Sequence, residues 1–266
     1  MLPLPPEDLR FNVAGTRDPV LFDTLGALSV QNFAMALAGI GRSLPQFARI
    51  LEWGCGCGRI LRHLPFHPHA QELHGCDIDP KGIAWLRDNL PYLHVQHTPG
   101  LPPLPYADGH FDLIINHSVL SHLDEAYQDA WLAELGRVLA PGGVLMLTVH
   151  GPFAFDHWTS VLPKDDAALQ RVVTGAREAL AKDGFYFLVD DVWADNFPSF
   201  YQSSFHTPAY VFSHWGRFFD IMSYIPRGAL GHQDMIVLRH KATAPEAVEA
   251  TEAPRDAPTP LPARAA

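Results

Sequence analysis

The chain has 266 residues, of which 47% are hydrophobic, and it carries a formal net charge of −10 at pH 7. This length allows one sizeable core in one or two domains, and the apolar content is that of an ordinary globular protein. The acidic balance argues against a nucleic acid or an anionic membrane as the main partner, because both attract basic surfaces.

The first ten residues hold three prolines and two acids, without the basic start and apolar run of a secretory signal. No uninterrupted run of 18 apolar residues follows, so we expect no transmembrane helix and a cytoplasmic protein. The three cysteines, Cys55, Cys57 and Cys76, are an odd number, which indicates reduced thiols and not a disulfide framework.

Strand-like and helix-like patterns alternate along the chain from about residue 18 to residue 241. This alternation predicts parallel βαβ units with right-handed crossovers. Two late strand-like runs have only a loop between them, so they are expected to pair as an antiparallel hairpin. The predicted strands are residues 48–53, 72–76, 93–97, 111–116, 144–149, 218–224 and 235–239, and the predicted helices are residues 23–40, 59–64, 81–90 and 124–139.

A glycine-rich loop lies between the first of these strands and the following helix, with the sequence Glu-Trp-Gly-Cys-Gly-Cys-Gly-Arg over residues 52–59. Glycine lets the backbone turn sharply and approach a ligand, and the free N–H groups of a helix start favour an anion. Asp77 closes the second strand, where a carboxylate can accept both hydroxyls of a ribose. Together the loop and the acid predict a cofactor that contains adenosine.

Two cofactor classes fit this pattern, a nicotinamide dinucleotide and S-adenosylmethionine. The dinucleotide fingerprint requires glycine in the sixth place counted from Gly54, and Arg59 stands there. The terminal hairpin also disfavours a dinucleotide fold, which continues with a second parallel half. In S-adenosylmethionine, the methionine carboxylate would be the anion at the loop.

Four stretches in order, residues 50–59, 75–80, 104–116 and 137–147, together resemble the class I S-adenosylmethionine-dependent methyltransferases. The resemblance covers residues 50–149. It implies a Rossmann-like three-layer α/β sandwich whose mostly parallel seven-stranded sheet has an antiparallel last strand. It also implies S-adenosylmethionine as the cofactor.

Carried over position by position, the resemblance makes Glu52 the acid at the end of the first strand. Gly54 and Gly56 match the close backbone approach to the amino-acid end of the cofactor. Asp77 matches the ribose ligand, and Ile78 matches the neighbour of the adenine.

Two further positions complete the predicted cofactor site. Asn116 matches the end of the fourth strand, which faces the cofactor beside the methyl acceptor. Relatives commonly carry an acid that contacts the adenine amino group, but the corresponding stretch here is His97-Thr98-Pro99-Gly100. Thr98 or a backbone carbonyl is therefore expected to make the adenine contact.

The methyl acceptor is expected beyond the carboxyl ends of the fourth and fifth strands. Methyl transfer is an in-line displacement, so the protein has to align the acceptor and, for a hydroxyl, remove its proton. A histidine is the natural base, with His150 as the first choice and His206 as the second. No metal ligand set is predicted.

Residues 190–210 mix aromatic side chains with acids and amides, a composition typical of a carbohydrate-like site and equally of a packed lid. The sequence thus predicts a small-molecule acceptor, a saccharide or glycoconjugate methylated on oxygen. The alternative is a catalytically silent S-adenosylmethionine-binding subunit of a larger assembly. The predicted layout is a cover segment at 1–18, the domain at 19–241 and a disordered tail at 242–266.

Overall fold

The structure, a computed structural model, describes residues 2–67, 71–190 and 198–241. Nine strands are present in this part of the chain. They are β1 (Arg49–Trp53), β2 (Glu72–Asp77), β3 (His94–His97), β4 (Phe111–Ile115), β5 (Leu139–Val149), β6 (Phe185–Leu188), β7 (Ser203–His206), β8 (Phe219–Ala229) and β9 (Gln233–His240).

Seven of these strands form one sheet in the order β3-β2-β1-β4-β5-β9-β8. The first five strands are parallel to their neighbours, whereas β9 runs antiparallel to both β5 and β8. The predicted fold, a mostly parallel seven-stranded sheet with an antiparallel last strand, is confirmed. The strand order reverses between β1 and β4, because β2 and β3 lie on one side of β1 while β4 and β5 lie on the other, so the carboxyl ends of β1 and β4 border a crevice.

Helices cover both faces of the sheet. Those that begin at Asp18, Asp79, Asp124 and Asp166 are capped by the aspartate side chain, which accepts hydrogen bonds from backbone N–H groups of the first turn. The helices are α1 (Glu7–Ala14), α2 (Pro19–Gly39), α3 (Pro80–Asn89), α4 (Glu125–Val138), α5 (Pro152–Val161), α6 (Ala167–Asp183) and α7 (Pro208–His214).

The core lies in two layers, one on each face of the sheet. Consecutive residues of β1 belong to different layers, because Ile50 packs on the side of α2 and α3 while Leu51 packs on the side of α4. Both are fully buried, as expected for a central parallel strand covered on both faces. These layers give the predicted three-layer sandwich.

The predicted helix at residues 59–64 is wrong in type, because only a short 3-10 helix forms there, Leu61–His63. Gly58 has a φ of 79°, and the Leu61 N–H is held by the Glu52 carboxylate at 3.0 Å. The first residues of the segment therefore do not take up a regular helical conformation, and Pro65 lies just beyond its end. The remaining residues are too few for a regular α-helix.

The helix α2 is long and apolar enough to cross a membrane by length and composition, with a mean hydropathy of 1.3. A core helix of a soluble protein passes the same test. Here α2 packs Phe22, Phe33 and Leu37 inward, and all three are fully buried.

A second, two-stranded sheet of β6 and β7 follows α6, which the sequence patterns did not predict. Its small core contains Phe155, Ala176, Leu188 and Phe205. A parallel bridge from His150 to Phe205 joins it to the end of β5. Within the predicted 190–210 insertion, Ser203–His206 form β7 of this packed unit.

Candidate functional site

A cavity of about 850 Å³ opens at the carboxyl ends of β1, β2 and β4, where ligands of open α/β sheets bind. Its volume falls within the range of small-molecule and cofactor sites. The wall is formed by α1 and the glycine loop on one side and by the segments after β2, β3 and β4 on the other. Among the lining residues are Asn12, Glu52, Gly54, Gly56, Arg59, Asp77, Ile78, Thr98, His117, Ser118, His122 and Tyr201.

The glycine loop contacts its neighbours so closely that side chains would not fit. Gly54 and Gly56 have φ values of 78° and 52°, in the left-handed region that favours glycine. A Cβ atom on Gly54 would lie 2.3 Å from Val119, and one on Gly56 would lie 2.4 Å from Val13 of α1. Both glycines line the cavity, so the backbone itself forms its floor.

Glu52 lies at the start of this loop and is buried at the edge of the cavity. Burial raises the pKa of Glu52 to about 8, although the nearby Arg59 guanidinium acts in the opposite direction. One carboxylate oxygen accepts the Leu61 N–H at 3.0 Å. Glu52 thus shapes the loop as well as lining the cavity.

Asp77 stands at the end of β2 with both carboxylate oxygens in use. One oxygen accepts the Gly56 N–H at 2.6 Å and the other accepts the Asp79 N–H at 2.8 Å. Burial raises the pKa of Asp77, while these backbone hydrogen bonds oppose the shift. Each oxygen keeps a further lone pair, so the fixed carboxylate still has two acceptor positions, as a pair of ribose hydroxyls requires.

Ile78 and Thr98 line the cavity next to Asp77. The Thr98 N–H donates to the Asp77 carbonyl at 2.9 Å, which sets β3 and the following turn against the end of β2. Gly100, two residues later, accepts a hydrogen bond from the Trp131 indole at 3.2 Å. The predicted adenine end of the site is therefore a slot between Ile78, Thr98 and an aromatic wall.

Arg59 and His117 also line the cavity, and the sequence analysis assigned neither of them a role. Arg59 is 6% exposed, and its Nε has no hydrogen-bond partner among the described residues. Such a cation, beside the loop where the methionine carboxylate is predicted, fits that anionic group. Its position directly after the third glycine is the sequence signal that could have identified it.

His117 lies two residues after the end of β4, and its buried Nδ1 has no hydrogen-bond partner within the described residues. Burial, together with the charges of Arg59 and His150, holds the pKa of His117 well below its usual value. The imidazole is therefore neutral at pH 7 and able to accept a proton. His117 lies after the fourth strand, in the region where the methyl acceptor is expected, whereas the predicted bases were His150 and His206.

Asn116 does not line the cavity, contrary to its predicted position facing the cofactor. It is fully buried, and its amide nitrogen donates to the Trp53 carbonyl at 2.7 Å. Its amide oxygen accepts the Val119 N–H at 3.4 Å. Asn116 thus joins the ends of β1 and β4 below the cavity, and the next residue, His117, reaches the cavity instead.

The two histidines predicted as bases lie outside the cavity wall. His206 is 1% exposed on β7, its Nε2 is 3.0 Å from Gln128 Oε1, and burial lowers the pKa of His206 to about 3. His150 packs against the rings of His122 and Phe205, each with its centroid 5.5 Å away. The strand pairing that places Phe205 beside His150 also directs both imidazoles into packed surroundings, which corrects the prediction.

His122 forms part of the wall that separates His150 from the cavity. Its Nδ1 donates to the Gln202 carbonyl at 2.7 Å, and its Nε2 lies 3.2 Å from the Ser118 hydroxyl. The ring stacks on Tyr201 with 4.2 Å between centroids, and burial lowers the pKa of His122 to about 4. His122 therefore holds the segment of Tyr201 against the end of β4.

The fold and the site together define a Rossmann-like protein that binds an adenosine-containing cofactor between a glycine loop and an aspartate. A family model described as a methyltransferase domain matches residues 50–143. The resemblance to the class I S-adenosylmethionine-dependent methyltransferases is thus confirmed over residues 50–143, which match a methyltransferase domain.

Two curated relatives are similar over this region. The chain is 31% identical to a malonyl-[acyl-carrier protein] O-methyltransferase of Halorhodospira halophila over 39% of this chain and 35% of the relative. It is 32% identical to a fatty-acid O-methyltransferase of Mycolicibacterium smegmatis over 46% of this chain and 44% of the relative. The chain therefore spans less than half the length of these two relatives.

Among solved structures, an S-adenosylmethionine-dependent methyltransferase from Mesorhizobium loti is similar in fold. The TM-score is 0.50 at 15% identity, over 77% of this chain and 96% of that chain. This likeness supports the fold and carries no information on the acceptor.

Proposed function

We propose that the protein transfers the methyl group of S-adenosylmethionine to an oxygen atom of a small, largely apolar molecule. The observation that carries the proposal is that one continuous cavity of about 850 Å³ is lined by Asp77, by the glycine loop and by His117 and Tyr201. The names of the two relatives, both O-methyltransferases, agree with an oxygen acceptor.

The residues of the cofactor end divide the binding of S-adenosylmethionine among them. Asp77 would accept the ribose hydroxyls, Ile78 and Thr98 would contact the adenine, and Arg59 would pair with the methionine carboxylate. When bound, the cofactor supplies a methyl group activated by the adjacent sulfonium. Gly54 and Gly56 would let the backbone approach the amino-acid end closely, while their own N–H groups donate to the Cys76 carbonyl and to the Asp77 carboxylate.

At the other end, the protein orients the acceptor and removes its proton. Val119, Leu123 and Tyr201 contribute apolar surface to the wall, which excludes water and limits the motion of the acceptor. The neutral imidazole of His117 would accept the proton of an acceptor hydroxyl. Alignment and general-base assistance are the two contributions that a displacement of this kind requires from a protein.

The saccharide hypothesis has less support than a largely apolar acceptor. Within residues 190–210, Phe205, His206 and Tyr210 are buried in packed cores, so they present no surface to a sugar. Of the described residues in this stretch, only Pro198, Phe200 and Tyr201 line the cavity. Asp191, Trp193, Asp195, Asn196 and Phe197, which also motivated the hypothesis, lie outside the described residues.

Calorimetry and a transfer assay on the purified full chain test the proposal. S-adenosylhomocysteine is expected to bind and NADH is not, and the reverse result would overturn the cofactor. Labelled S-adenosylmethionine is then incubated with the small-molecule fraction of a cell extract, and mass spectrometry is expected to find a labelled ether or ester. Binding without transfer in repeated trials, with a copurifying partner, would favour the silent-subunit alternative.

Substitution of Arg59 tests how the cofactor is held. Arg59→Met is expected to weaken S-adenosylhomocysteine binding roughly 10-fold to 100-fold, since hydrogen bonds to charged groups contribute about 1.5 to 3 kcal/mol. The matched control is Arg177→Met, because Arg177 is an exposed cation of α6 outside the cavity. Equal affinity in the two variants would remove Arg59 from the site.

A further inference from the structure

A cluster of side chains that can bind a metal ion lies at the amino ends of β2 and β4, the end of the sheet opposite the cavity. Glu72 and His74 are two residues apart on β2, so their side chains project from the same face of the sheet. His110 directly precedes β4. One ligand atom from each of the three lies within 4.8 Å of the others. Glu72 Oε2 and His74 Nε2 are 3.3 Å apart.

Packing fixes the ring that stands at the centre of this cluster. The His74 side chain is only 10% exposed, and it stacks on His94 with 4.8 Å between ring centroids. The edges of His110 and Phe111 meet it at 5.5 and 5.1 Å. A ligand held by its neighbours loses little freedom on binding an ion, whereas the exposed Glu72 carboxylate can adjust to complete the geometry.

We propose that Glu72, His74 and His110 bind one zinc ion. Two imidazoles and one carboxylate are ligands that zinc accepts, and the exposed side of the cluster leaves space for water in the fourth position. Ligand atoms in a tetrahedral zinc site lie closer together than 4.8 Å, so closure requires a small movement. The exposed Glu72 and the partly exposed His110 are the side chains free to make it.

The charge around the cluster favours a cation, although one arginine opposes it. Arg49 of β1 lies near enough to act electrostatically on both Glu72 and His110. The Asp112 carboxylate, which accepts the Ala48 and Arg49 N–H groups, offsets that positive charge. With Glu72 the neighbourhood keeps one net negative charge before an ion binds.

The side chains of Glu125, Asp129 and His214 form a comparable cluster, but the charge around it excludes it as a zinc site. The Arg217 guanidinium lies 2.6 Å from His214 Nε2 and 3.4 Å from an Asp129 oxygen. A cation therefore already occupies the position that a metal ion would take. This cluster supplies the control for the proposed site.

The proposed zinc site is separate from the methyl-transfer site. Glu72 and Asp77 stand at opposite ends of β2, five residues or roughly 16 Å apart at the usual rise of a strand. An ion at the first end would join β2 to the segment before β4 across β1. Its expected effect is on stability, because a ligand that binds only the folded chain raises the melting temperature.

Zinc titration of the full chain, freed of metal with a chelator and then dialysed, tests the proposal. Calorimetry is expected to show one saturable site, and thermal melts are expected to shift upward with zinc. The exposed or partly exposed substitutions Glu72→Gln and His110→Gln are expected to weaken that site about 10-fold or more without unfolding the chain.

His214→Gln is the matched control, and it is expected to bind zinc as the parent chain does. The chain has 15 histidines, so adventitious binding is a real alternative. A site that survives both Glu72→Gln and His110→Gln, or the absence of any saturable site, would overturn the proposal. Circular dichroism of each variant distinguishes loss of the site from loss of the fold.

Discussion

Asp77 is held by two backbone N–H groups, at 2.6 and 2.8 Å, while its remaining lone pairs face the cavity. Asp77→Asn would turn an amide N–H₂ toward one of these donors and remove the charge. We expect S-adenosylhomocysteine affinity to fall roughly 10-fold to 100-fold, because hydrogen bonds to a charged acceptor contribute about 1.5 to 3 kcal/mol. Asp166→Asn, at the remote cap of α6, is the control. An unchanged dissociation constant for Asp77→Asn would exclude it as the ribose ligand.

His117 and His150 make opposite predictions for catalysis. His117→Gln is expected to lower the turnover number by about 10² to 10⁴, the usual range of general-base assistance, with cofactor affinity nearly intact. His150→Gln is expected to leave turnover close to that of the parent chain, because His150 lies behind the cavity wall. Single-turnover rates of the two variants test this, and a larger loss for His150→Gln would restore the original assignment.

The pH dependence of the reaction gives a second test of His117. Burial, Arg59 and His150 hold the pKa of His117 well below its usual value, so the imidazole stays neutral from pH 8 to pH 6. The turnover number should therefore not fall over this range, whereas an unshifted histidine base would lose activity through about pH 6.5. A measured rate that halves near pH 6.5 would contradict the assignment.

Among the elements, α1 closes the cavity through its contact with the glycine loop. Gly56→Ala would place a Cβ atom 2.4 Å from Val13, so α1 has to move away. Gly41→Ala is the matched control, because Gly41 lies outside the cavity and also has a left-handed φ but no atom near its Cβ position. Both variants should lose about 1 kcal/mol or more of stability from backbone strain. Only Gly56→Ala is expected to weaken S-adenosylhomocysteine binding, and equal binding in calorimetry would show that α1 is no cover.

Most strands of the large sheet were predictable because they contain a short apolar run bounded by polar or turn residues, whereas β3 has a single apolar residue, Val95. The units after β5 were not, since α5, α6 and the small sheet have mixed patterns that fit either a helix or a strand. In the site, the loop glycines and Asp77 were predictable from spacing. His206 was misjudged because the sequence does not distinguish an aromatic-rich packed strand from an aromatic-rich cavity wall.

Over the whole molecule, the buried histidines predict a loss of stability in acid. Burial lowers the pKa of His122 to about 4 and that of His206 to about 3, and it holds the pKa values of His117 and His150 well below normal. In the unfolded chain these groups titrate near 6.5. Below about pH 6.5 the unfolded chain therefore binds more protons, and stability falls as pH falls toward 4.

The slope of this loss is measurable by urea unfolding at pH 7, 6 and 5. Each histidine contributes up to about 1.4 kcal/mol per pH unit. Glu52 opposes this loss of stability, because its pKa in the folded chain is raised to about 8. Between pH 4.5 and 8 the folded chain therefore binds up to one proton more at Glu52 than the unfolded chain does. His206→Leu should reduce the slope by about one proton. A free energy of unfolding equal at pH 7 and pH 5 would contradict the prediction.

Two of the six tryptophans, Trp53 and Trp131, stand together in the cavity wall with 4.8 Å between ring centroids and 44° between planes. Trp131 also donates to Gly100 at the predicted adenine slot. An adenine placed there would change the surroundings of both indoles at once. The native fluorescence of the chain is therefore a built-in optical signal, by which candidate acceptors can be screened for their effect on cofactor binding without any label.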